Sequence, residues 1–253
     1  MASLSLEDFK ALAARRRVVP VTTEVVADGL TPVGLYATLV GDGQGFLLES
    51  VEGGDRWGRY SFVGTAGDDR LVGRQGAVEL GGVLEGLHGG GVGVLAALEA
   101  VLNEFHTDPM PNLPPLHSGL VGYLGYDVVR EVERLPNAPA SGLDIPEAVL
   151  VFITSLVVLD HWQQRAILVE NVVVPEGVDE SWLEERYALA CASLSRLAEA
   201  CSAPAALPAL PVPERGLLPA SITRSSTSAA FEDAVKVAKD YIAEGEVVQV
   251  GNR

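Results

Sequence analysis

Three side chains near the front of the sequence can do recognition chemistry together: Glu49, Ser50 and Arg59. A carboxylate or carbonyl accepts hydrogen bonds from an ammonium, a hydroxyl donates or accepts, and a guanidinium forks onto a carboxylate. Grouped beside an apolar pocket, they suit a zwitterionic ligand with a hydrophobic side chain. The same residues also fit a plain β-hairpin on whose rim Glu49 and Arg59 form a solvated pair of little energetic weight. Residue type and spacing leave both readings open.

The elements that must position these groups are two short strands and a loop. Phe46-Leu47-Leu48 is an apolar run too short for a helix, and it predicts a buried strand. It breaks into Glu49-Ser50. The segment Val51 to Gly58 carries three glycines, so its backbone bends freely. The strand that follows alternates, with Tyr60, Phe62 and Gly64 on one side and Ser61 and Val63 on the other.

The stretches Leu47-Leu48-Glu49-Ser50 and Trp57-Gly58-Arg59-Tyr60-Ser61-Phe62-Val63-Gly64 resemble the N-terminal signature of anthranilate synthase component I, within the chorismate-utilising enzymes. The resemblance implies that this region helps to bind tryptophan as a feedback inhibitor, a coupling between two sites. The family's Glu-Ser pair falls on Glu49 and Ser50, and its basic contact falls near Arg59. The rest of that ligand site lies around an Asn-Pro-Ser-Pro-Tyr-Met motif, which this sequence does not contain. Gly119-Leu120-Val121-Gly122-Tyr123-Leu124-Gly125-Tyr126-Asp127 also resembles the family, as a core strand leading into a helix.

For the complete enzyme the resemblance implies a lyase that makes anthranilate and pyruvate from chorismate and ammonia. Mg²⁺ would be required, and a glutamine amidotransferase subunit (component II) would supply the ammonia. The similarity extends from the start of the chain through a helix and strand at Phe231 to Val250, then departs at Gly251-Asn252-Arg253. The chain is therefore expected to be an N-terminal regulatory fragment, inactive alone, with no catalytic residue and no cofactor of its own. The expected organisation is a tryptophan-sensing region over 1–202, a Pro/Ala-rich linker over 203–227, and the first helix and strand of a truncated chorismate-binding domain over 228–253. Aminodeoxychorismate synthase component I and a stand-alone amino-acid-binding module are the alternatives. Unpaired strand edges predict marginal stability for the isolated chain.

Bulk properties bound the rest. The 253 residues allow one large or two small domains, and 48% hydrophobic residues supply a core. The net charge of −16 argues against nucleic acid and anionic membranes as partners, because both are polyanions. No apolar run reaches the roughly 20 residues of a bilayer span. The opening Met1-Ala2-Ser3-Leu4-Ser5-Leu6-Glu7-Asp8 lacks the pattern of a signal peptide. Only two cysteines occur, Cys191 and Cys201, which fits a reducing cytoplasm rather than a disulfide framework. The histidines at 88, 106, 117 and 161 have no metal-ligand spacing, so no metal site is expected. The adjacent pairs Asp68-Asp69 and Glu184-Glu185 read as solvated.

The predicted fold is α+β: antiparallel β-sheets with helices packed outside, a layered sandwich incomplete at the C-terminus. Helices are expected over Leu6 to Ala14, Val33 to Val40 behind a Thr31 cap, Val94 to Phe105, and Val128 to Leu135 behind Asp127. Two more are expected from a Ser181-x-x-Glu184 capping box to about Ala200, and from Ser228 to Gly245. Val18 to Val26 reads as an edge strand because Pro20 interrupts it. Arg70 to Leu80 reads as a hairpin turning near Gly73 to Gly76. Ile145 to Asp160 and Arg165 to Val174 read as one long antiparallel pair, the first strand buried on both faces. Glu246 to Val250 is expected to start a strand.

Overall fold

The computed structural model describes residues 2–49, 58–87, 93–107, 109–136, 144–203, 207–212, 216 and 222–251. The chain forms two compact units, Met1–Leu207 and Pro208–Arg253.

The first unit is built on two antiparallel sheets. It opens with α1 (Leu6–Ala13), whose N-cap Ser5 accepts a hydrogen bond from the Asp8 amide. β1 (Val18–Val26) follows, then α2 (Pro32–Leu39), capped by Thr31 with Pro32 at the first helical position. β2 (Gly45–Leu48) and β3 (Tyr60–Thr65) pair next, and β4 (Arg70–Arg74) and β5 (Ala77–Leu80) make a hairpin. That hairpin turns on Gln75 and Gly76, both with positive φ, as a two-residue turn matched to strand twist requires. α3 (Val94–Glu104), β6 (Leu120–Leu124), β7 (Ala148–Phe152), β8 (Ser155–Asp160), β9 (Arg165–Val173) and α4 (Glu180–Ser202) complete the unit. The larger sheet has the order β1-β9-β8-β3-β2 and the smaller the order β5-β4-β7-β6.

Packing explains the layers. Phe9, Val19, Val21, Leu35, Val63, Leu168 and Leu194 join α1, α2 and α4 to one face of the larger sheet. Ile153, Leu156, Val158, Ile167 and Val169 fill its other face, with Phe46, Phe62, Leu116 and Val121 against them. Leu71, Val94, Val101, Phe105, Leu150 and Phe152 bury the smaller sheet under α3. Burying each such side chain contributes about 1.5–3 kcal/mol. At Gly122 the neighbouring strand approaches so closely that a Cβ would collide with the Val149 carbonyl oxygen. This is the close backbone approach that glycine inside a strand implies.

The α+β reading holds, and Pro20 sits on an edge strand, opposite Asn171. Several details differ. Ile145 to Asp160 is not one strand: β7 belongs to the smaller sheet and β8 to the larger, with the chain crossing at Ile153-Thr154. Asn171 pins the crossing. Its amide donates to Thr154 O at 2.8 Å, and its Nδ2 donates to Ile153 O at 2.9 Å and His117 O at 2.8 Å. β8 is buried on both faces as expected, whereas β7 alternates. β2 is half-buried with Leu48 39% exposed, because it is the other edge of its sheet.

Val128 to Leu135 is not an α-helix. A single 3₁₀ segment, Tyr126–Glu131, stands there, and Asp127 accepts from Arg130 Nε at 2.6 Å instead of capping. α4 is capped by Asp179, which accepts from the Trp182 amide, and Ser181 donates to Asp179. The Asp179 carboxylate two residues upstream takes the N-cap, and the Ser181 hydroxyl is committed to it as a donor.

The second unit contains α5 (Ser228–Glu244), capped by Thr227, one residue before the expected Ser228. It ends at Gly245 with φ 81°, a left-handed C-cap that favours glycine. The expected strand Glu246 to Val250 is irregular. Strand backbone needs a ladder partner, and among the described residues of this unit no strand is present.

Candidate functional site

The register of β2 against β3 decides which groups meet. Leu48 faces Phe62, so Glu49, one residue beyond β2, and Arg59, one residue before β3, lie at the same end of this ladder. Glu49 is exposed and has no hydrogen bond or ion pair among the described residues. Ser50 lies outside the described residues.

Arg59 is held from the far side of the chain. Its Nε donates to Asp160 Oδ1 at 3.0 Å and its Nη2 to Asp160 Oδ2 at 2.7 Å, across a separation of 101 residues. This uses the side edge of the guanidinium and leaves Nη1 without a partner among the described residues. The guanidinium carbon lies 4.7 Å from the Tyr60 ring centroid and 5.1 Å from that of Trp162, within cation–π range. The arginine side chain is 28% exposed and the Asp160 side chain 0%.

Asp160 ends β8 and also organises the turn into β9, accepting from the Trp162 and Gln163 amides at 3.1 and 3.2 Å. Burial alone would raise its carboxyl. The hydrogen bonds from Arg59 and the two amides outweigh that and hold it below the usual carboxylate range. The pairing raises the Arg59 guanidinium in turn. Beside them Ser61 Oγ and His161 Nε2 are 2.8 Å apart, and Arg165 bonds Glu24 at 2.6 Å. The arrangement presents a fixed, partly exposed cation flanked by two aromatic rings, with the exposed Glu49 carboxylate at the same strand end.

Asp160, His161 and Trp162 had no signal in the sequence beyond a turn between strands. Only the β3–β8 pairing, in which Tyr60 faces Asp160, brings them to Arg59.

A second concave region lies between α4 and β9. It is a groove of about 620 Å³ lined by Trp182, Arg186, Ser193, Arg196, Glu170 and Asn171 among others. Glu170 accepts from Ser155 Oγ and Ser193 Oγ, each at 2.8 Å, and burial pushes its carboxyl up. Burial also pushes the Cys201 thiol up to about 11, which makes it a poor nucleophile. Among the described residues no three His, Cys, Asp or Glu side chains converge as a metal site. No described helix is long and apolar enough to cross a membrane.

A family model described as chorismate binding enzyme matches residues 88–251, more than half of the chain. The chain belongs to the chorismate-binding enzyme family. Among curated members, anthranilate synthase component 1 of Mycolicibacterium smegmatis is 43% identical over 178 residues, covering 70% of this chain and 34% of the relative. That of Arthrobacter globiformis is 34% identical over 255 residues, covering 98% of this chain and 47% of the relative. The chain thus spans about a third to a half of the length of these relatives. The crystal structure of anthranilate synthase component I from Streptococcus pneumoniae TIGR4 matches with a TM-score of 0.50 at 20% identity. The match covers 87% of this chain and 45% of that one, which shows a shared fold.

Proposed function

We propose that this chain is the N-terminal part of an anthranilate synthase component I and carries part of a tryptophan feedback site, with Glu49, Ser50 and Arg59 as ligand contacts. One observation carries the site: Glu49 and Arg59 stand at the same end of one strand ladder, a carboxylate without a partner among the described residues and a guanidinium whose Nη1 has none among them. A carboxylate acceptor and a guanidinium donor match the ammonium and carboxylate of an amino acid. Tyr60 and the half-buried Phe62 add aromatic surface suited to an apolar side chain.

The complete enzyme would convert chorismate and ammonia to anthranilate and pyruvate, the ammonia delivered by a component II amidotransferase. Mg²⁺ for that reaction is assigned to no residue here, since the described residues do not form a site that fits it.

Calorimetric titration of the purified chain with L-tryptophan, with L-phenylalanine as control, tests the sensing role. Saturable heat selective for tryptophan and reduced by Ser50→Ala is expected. A folded chain that gives no heat with tryptophan contradicts it.

A further inference from the structure

We infer that Asp160, together with the Trp162 ring, is a positioning device that fixes Arg59 as a preset receptor for the ligand carboxylate; the inference rests on the tryptophan-site reading above. The β8–β9 turn, which supplies no ligand contact in that reading, thereby becomes part of the sensor.

A guanidinium offers a side edge, Nε with one Nη, and an end fork made by the two Nη groups. Asp160 takes the side edge through both of its oxygens. Among the described residues the two Nη groups keep three N–H donors without a partner, enough for a second bidentate carboxylate.

Asp160 is itself immobile. It is fully buried, it ends a strand paired on both sides, and the Trp162 and Gln163 amides hold Oδ1. The Arg59 carbonyl in turn accepts from the His161 amide at 2.9 Å, so backbone and side chain are both tied to the same turn. The Tyr60 and Trp162 rings against the guanidinium restrict its remaining rotations. Trp162 is 62% exposed, and the core clusters do not include it. Among the described residues its ring contact is with the Arg59 guanidinium. A long arginine otherwise loses much side-chain freedom when it captures a ligand. Here that freedom is already spent in the unliganded fold, which favours affinity by preorganisation.

The test compares two ligands on the folded chain: L-tryptophan, and L-tryptophanamide, which lacks the carboxylate. The wild-type chain is expected to bind tryptophan more tightly than the amide. Asp160→Asn should weaken tryptophan about tenfold, the effect of losing about 1.4 kcal/mol, while leaving the amide nearly unchanged. The preference between the ligands then collapses, which general loosening would not produce, since that lowers both affinities alike. Trp162→Ala, an exposed position, should reduce the preference about threefold and serves if Asp160→Asn does not fold.

Three results overturn the inference. Equal affinities for tryptophan in wild type and a folded Asp160→Asn would remove it and leave the tryptophan site standing. Parallel losses for both ligands would make Asp160 merely structural. No binding of tryptophan by the wild-type chain would remove the tryptophan-site reading, and this inference with it.

Discussion

Two carboxylates in the larger sheet live under opposite regimes. Asp160 and Glu170 lie on neighbouring strands, the first buried and the second half-buried, and burial is the largest influence on each. Asp160 meets a guanidinium and two backbone amides, and its carboxyl is held below the ordinary 3.8. Glu170 meets two serine hydroxyls, with Arg196 acting only through its field, and its carboxyl is pushed above the ordinary 4.5. Burial therefore does not decide the charge state; the donors that meet the group do. The charged carboxylate stands where the candidate ligand site is, and the more easily protonated one lines the groove under α4.

The stability consequences have opposite signs. Asp160 is depressed, so its contribution is full above the unfolded value of 3.8 and is lost as pH falls through the folded value. Glu170 is raised, so the folded chain holds its proton longer. Stability declines as pH rises from 4.5 through the folded value and stays lower above it.

The largest expected effect comes from breaking the charged end. Asp160→Ala strands a half-buried guanidinium and two turn amides, and it should lower Tm by roughly 10–15 °C in a calorimetric scan. A smaller loss is expected where the sheets exchange chain with neutral hydrogen bonds only. Asn171→Ala leaves the Ile153 and His117 carbonyls without a donor and should cost about 2–3 kcal/mol by urea denaturation. Ser193→Ala removes one of the two donors to Glu170 and should cost about 1 kcal/mol at pH 7. The smallest effect belongs to Glu170→Gln. It keeps an acceptor for both serines and removes a half-buried charge, so stability at pH 7 should be unchanged or raised by up to about 1 kcal/mol. A loss of several kcal/mol there would erase the contrast between the two carboxylates.

Much of this contrast was hidden from the sequence. Local signals read well. Thr31-Pro32 starts a helix, Pro20 confines β1 to an edge, and Gln75-Gly76 turns a hairpin within the expected span. These depend on a residue's own φ or its missing N–H, which travel with residue type. Where the chain changes sheet did not read, because Ile145 to Asp160 is apolar on both sides of the crossing and periodicity carries no mark of a partner. Arg59 was legible as a candidate cation, but Asp160 lies 101 residues away and looks like an ordinary turn aspartate. Glu170, inside a β-branched run, gave no hint that Ser155 and Ser193 would meet it.

The contrast between the two carboxylates is read most directly by a carboxyl ¹³C NMR titration of the folded chain, with Asp160 and Glu170 assigned through Asp160→Asn and Glu170→Gln. Asp160 is expected to titrate below 3.8, or to stay ionised until the fold is lost, and Glu170 to titrate above 4.5. Two carboxylates titrating together near their ordinary values would contradict it. That result would mean Arg59 is not held by a permanently charged partner.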